Sequence, residues 1–82
     1  MKMMEIEAYL SIEDYINNPL WPILVETVHT IVMYSHHKFY VQSVFLSEKP
    51  DASPQDLVLD LSISLGEAMV ILYELKMERE RK

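Results

Sequence analysis

SPQDLVLDLSISLGEAMVILYELK, residues 53–76, reads as a short capped helix, a tight polar turn and a longer helix. Ser53 supplies an N-cap oxygen, and Pro54 takes the first helical position, where no N–H is needed. Asp56, three residues after Ser53, forms a variant of the capping box and suits the positive end of the helix dipole. Leu57, Val58 and Leu61 then share one side over about two turns. Ser62-Ile63-Ser64 breaks that register. Ser64-Leu65-Gly66-Glu67 repeats the capping-box spacing in full, and Leu65, Ala68, Ile71, Leu72 and Leu75 follow as one apolar stripe at helical steps.

The last helix carries a second apolar side. At about 100° per residue, Gly66, Val70, Tyr73 and Met77 lie opposite the first stripe, with Met69 on the flank. Leu59 likewise sits opposite Leu57 on the preceding helix. Each large side chain buried there is worth about 1.5–3 kcal/mol, so some surface must cover them. Three destinations fit: the N-terminal part of the same chain, a homodimer seam or partner's groove, or a DNA duplex. Met and Tyr suit adaptable apolar contacts. Reading base edges calls for Arg, Lys, Asn or Gln, and this face offers Glu67, Val70 and Tyr73.

Two helices joined by so short a turn are the helix-turn-helix arrangement. Ser53-Pro54-Gln55-Asp56-Leu57, Leu61, Ile63-Ser64 and Ala68, Leu72, Leu75 resemble the helix-turn-helix and winged-helix superfamily. An upstream helix ending near Ser47-Glu48 and the Lys49-Pro50-Asp51-Ala52 loop complete the usual three-helix unit. The resemblance spans residues 38–78, within a core of about 38–80, and implies a setting in transcription or another nucleic-acid process. The departures are Val58 where Ala is common, Ser62 where Gly is common, and no wing hairpin between Lys76 and Lys82.

Charge weighs against direct DNA contact. The 82 residues carry a net charge of −6. Residues 1–75 hold three basic and eleven acidic side chains, whereas residues 76–82 hold four basic and two acidic ones. A DNA-binding domain draws much of its affinity from a basic footprint. The phosphate contacts available to the DNA alternative are Ser64, Lys76, Arg79, Arg81 and Lys82; a solvated helix end, its cations complementing the dipole, is the simpler reading of that run.

Eighty-two residues make one small domain, and half of them are hydrophobic, which favours a homo-oligomer that covers the surplus. With no cysteine, a disulfide framework and thiolate metal sites are excluded, which fits an intracellular, cytoplasmic setting. The longest clean apolar run, Leu20 to Val25, is far short of a membrane span, and no leader pattern opens the chain.

Upstream, Met1 to Leu10 alternates apolar and polar residues, as a short strand, an arm or a first helical turn would. Ser11 caps a short helix that Asn17-Asn18-Pro19 stops. Pro22 opens a helix running to about Tyr34, with Leu24, Val28, Ile31, Val32 and Ser35 on one face. His36-His37-Lys38 marks a junction. Phe39 to Glu48 reads as the first helix of the three-helix unit, with a strand over residues 38–46 as the alternative.

His29, His36 and His37 with Glu26 are the one metal-like grouping, but a single Glu26-x-x-His29 pair falls short of a carboxylate-bridged site, so neutral solvent-facing histidines are expected. No nucleophile–base pair is evident, and one glycine rules out a glycine-rich phosphate loop. The expectation is therefore a mostly α single domain, with one or two N-terminal helices before a helix-turn-helix core. It is expected to be no enzyme, to hold no cofactor or metal, and to associate through Leu59, Met69, Val70, Tyr73 and Met77, as a homodimer or with a protein partner. A small DNA-binding regulator is the alternative.

Overall fold

The computed structural model describes residues 12–80. The expectations for Met1 to Leu10 and the Ser11 cap, and the contacts of Arg81 and Lys82, lie outside the described residues. Within them the chain forms α1 (Ile12–Ile16), α2 (Trp21–His29), α3 (Tyr34–Tyr40), a π-helical segment (Val41–Phe45), α4 (Leu46–Glu48), α5 (Pro54–Leu61) and α6 (Leu65–Glu80). The fold is mostly helical, as expected, and measures 35 × 31 × 28 Å. α3, the π segment and α4 follow without a break and form one rod over residues 34–48.

The local signals of residues 53–67 are realised almost atom for atom. Ser53 Oγ accepts the Asp56 N–H at 3.2 Å, while the Ser53 N–H donates to Asp56 Oδ2 at 2.9 Å. α5 ends at Ser62, whose φ of 58° is left-handed. A residue with a Cβ held there costs roughly 1–2 kcal/mol, which explains why glycine is the easier choice at such a position. Ser64 Oγ then accepts the Glu67 N–H at 3.0 Å and starts α6. The Glu67 side chain, expected to turn back and close the second box, reaches across to His37.

The segment after Pro22 departs from expectation. A single helix to Tyr34 would place Val28 and Tyr34 about 120° apart around its axis. Both side chains are buried, so the chain has to turn between them. α2 stops at His29, and successive tight turns follow: Thr30 N–H to the Thr27 carbonyl, Ile31 N–H to Val28 and Tyr34 N–H to Ile31, at 3.0–3.1 Å. The Thr30 hydroxyl also donates to the Thr27 carbonyl at 2.6 Å. The β-branched run Thr30-Ile31-Val32 resists continued helix, and Ile31 and Val32, expected on the inner face, are exposed.

The rod consequently starts at Tyr34, ahead of the expected junction at His36-His37-Lys38, which falls inside α3. The strand alternative over residues 38–46 is not adopted. In its middle the Leu46 N–H donates to the Val41 carbonyl, the longer π spacing, and Val41 and Phe45 both face the core.

α6 lies against α5, α2 and the rod. Residues 67–71 are buried on every side, as a helix apolar around its circumference demands. Gly66 permits the approach of α2: a Cβ there would stand 3.0 Å from Leu24 Cδ1. Trp21 meets the Tyr73 ring edge-on, centroids 5.5 Å apart. The second apolar side of α6 is thus covered first by α2 of the same chain.

Candidate functional site

Helical spacing aligns two rows of side chains along the contact between the rod and the C-terminal half of α6. Tyr34, Lys38 and Gln42 fall at i, i+4 steps on the rod, with Ser35 and Phe39 beside them. Tyr73, Glu74, Met77 and Glu78 form the matching row on α6. With His29 from the end of α2, they line an open groove of about 790 Å³.

The groove has a polar bed. Glu74 accepts from the Tyr34 hydroxyl, from His29 Nε2 at 2.7 Å and from Lys38 Nζ at 3.2 Å. Lys38 Nζ also donates to Glu78 Oε2 at 2.7 Å. Burial alone would raise the Glu74 carboxyl, but hydrogen bonds from Tyr34, His29 and Lys38 more than offset it and hold Glu74 below the usual carboxylate range. For Lys38, burial pulls downward and is outweighed by the bonds to Glu78 and Glu74, leaving the ammonium above its ordinary value. Burial, then the hydrogen bond to Glu74 and the nearby carboxylates, pushes the Tyr34 phenol well above its ordinary value.

These groups are arranged to hold protons rather than to move them. A carboxylate offers about four acceptor positions, and three donors already address Glu74. The Tyr34 phenol stays protonated, and Lys38 stays charged between two glutamates. The bed therefore acts as a cross-brace between α2, the rod and α6. One turn away, His37 Nδ1 lies 2.6 Å from Oε2 of Glu67, whose side chain is only 4% exposed, so a second brace ties the rod to the start of α6. Two of the three histidines expected to face solvent alone are engaged in this way; His36 is exposed, with its ring centroid 6.5 Å from that of His37.

The walls of the groove are apolar. Phe39 is 66% exposed, Met77 37%, and Tyr73 is half-buried behind them. Of the five residues expected at an interface, Met69 and Val70 are corrected: both are buried in the chain's own hydrophobic core. Tyr73 and Met77 line the groove, and Leu59 is exposed on α5 outside its lining. The residues of the duplex alternative are dispersed. Ser64 caps α6, Lys76 Nζ stands 3.7 Å from Glu13 Oε2, and Arg79 is exposed near the end of the helix. The face that would enter a major groove, around Val70, is occupied by protein.

Tyr34, Lys38, Phe39, Glu74 and Glu78 were absent from the sequence-level site. Their i, i+4 spacings, basic on the rod and acidic on α6, are visible in the sequence. What pairs the rows is the turn after Thr30, whose direction the β-branched run Thr30-Ile31-Val32 does not specify. Among the described residues no helix is long and apolar enough to cross a membrane. No family model, curated protein or solved structure matches this chain.

Proposed function

We propose that this chain is a non-catalytic association module, helix-turn-helix-like in its last two helices, that pairs with a second copy through the groove between the rod and α6. The observation that carries this reading is the open apolar wall of Phe39, Tyr73 and Met77 over a bed in which Tyr34, His29 and Lys38 already donate to Glu74. Apolar area left in water is surface that gains on association, and the hydrogen bonds onto Glu74 need not be broken to cover it. Two aromatic residues and a methionine in that wall match the composition of interface cores.

The bed supports binding over catalysis, since its phenol and ammonium are held protonated and Glu74 already accepts from three donors. The buried face of α6 and the net charge of −6 support a protein partner over a duplex. A transcription-related setting rests on the helix-turn-helix resemblance alone.

Light scattering coupled to size exclusion tests the reading. The protein should elute at twice its 9.7 kDa chain mass at micromolar concentration. Phe39→Glu, at a position too exposed to unsettle the core, should shift it to monomer with its helical circular dichroism intact. A wild-type chain that stays monomeric up to submillimolar concentration would refute the pairing.

A further inference from the structure

Resting on that reading, we infer that the element entering the groove is the basic C-terminal run of the second copy, led by Arg79. The groove is short of positive charge: Glu74 and Glu78 face a single lysine, Lys38, beside His29. The Glu78 side chain is half exposed, so part of its carboxylate still addresses solvent. The sequence gathers its cations at one end, and Lys76 there already stands 3.7 Å from Glu13 Oε2, which leaves Arg79 as the leading described cation. Four of its seven Lys and Arg residues fall within residues 76–82.

A chain's own Arg79 does not reach its Glu78. Glu74, Met77 and Glu78 lie on one side of α6, and Arg79 points about 100° round from Glu78 on the same stiff helix. A helix cannot bend back on its own face within a turn, so only another copy can bring Arg79 to Glu78. Because Glu78 and Arg79 sit side by side on one helix, a two-fold arrangement uses each twice, which is what an isologous dimer requires. The chemistry of the walls suits the same guest. An arginine lays its planar guanidinium on an aromatic face such as Phe39 while forking onto a carboxylate, and its alkyl stem covers apolar surface such as Met77.

Charge reversal and its compensation test this, read as the dimer dissociation constant by sedimentation at low salt. Glu78→Lys should weaken dimerisation about tenfold, and Arg79→Glu with Arg81→Glu should do the same, since each disturbs two symmetric copies of the contact. The chain carrying all three changes should return to near wild-type affinity. Thermal melts check that each variant is folded, and Glu78→Gln, which adds no repulsion toward Lys38, should weaken dimerisation to a smaller degree. Charge variants that dimerise like the wild type, or a folded triple variant with no recovery, overturn the Arg79 assignment while leaving the module itself standing. A wild-type monomer overturns both.

Discussion

The two halves of α6 solve opposite problems. From Glu67 to Ile71 the helix is buried all round, and its one charged side chain there is held by His37. From Tyr73 to Glu80 it borders the groove, with Leu75 still in the core and Met77 open to water. The same periodicity therefore has two meanings along one helix. Where α2 approaches over Gly66, the second stripe is core; beyond the reach of Trp21, it is wall. A stripe states that something apolar must arrive, and the tertiary path decides what.

The contrast can be broken by truncating each half in turn. Ile71→Ala should cost about 2–5 kcal/mol in denaturant unfolding, from lost burial plus the cavity left behind. Met77→Ala, at an exposed wall, should stay within about 0.5 kcal/mol for the unassociated chain. Equal effects would show that the halves do not differ. The buried brace sits between these extremes. Glu67→Ala should cost about 1–3 kcal/mol, because it removes the partner of His37 from a nearly closed site. A double-mutant cycle with His37→Ala isolates the pair; strict additivity would mean that the contact contributes nothing.

The open brace responds to acid. The folded-state pKa of Glu74 lies below its ordinary value, so its contribution is full above about pH 4.3 and is lost as pH falls through the depressed folded value. Tyr34→Phe removes one of the donors responsible. It should lower stability at pH 7 by about 1 kcal/mol and flatten the acid-side slope of stability against pH. An unchanged slope would mean that the phenol does not sustain the carboxylate. This effect is smaller than those of Ile71→Ala and Glu67→Ala, and it separates the two ends of α6 by chemistry rather than by burial.

The parts legible beforehand share a short range. The Ser53–Asp56 box, the Ser62 stop and the Ser64 cap each depend on groups within four residues of one another, so residue identity suffices. The break at Thr30 is hidden in the sequence because helical spacing through Leu24, Val28 and Ile31 continues across it. Only the joint burial of Val28 and Tyr34 forces the turn. Met69 and Val70 look like interface for the same reason: nothing near them announces that they close into the core of a helix against which α2, some forty residues upstream, packs.

Taken alone, the amino-acid order determined the helical class, the caps and lengths of α5 and α6, the acidic balance and the presence of a second apolar stripe. These follow from local hydrogen bonding, side-chain periodicity and charge, which need no distant partner. Tertiary structure alone decided where the rod begins, which part of the stripe is core, and that Tyr34, His29 and Lys38 converge on Glu74. Contacts across 36–45 residues depend on the direction of each turn, and that direction is set by which side chains the core can bury together.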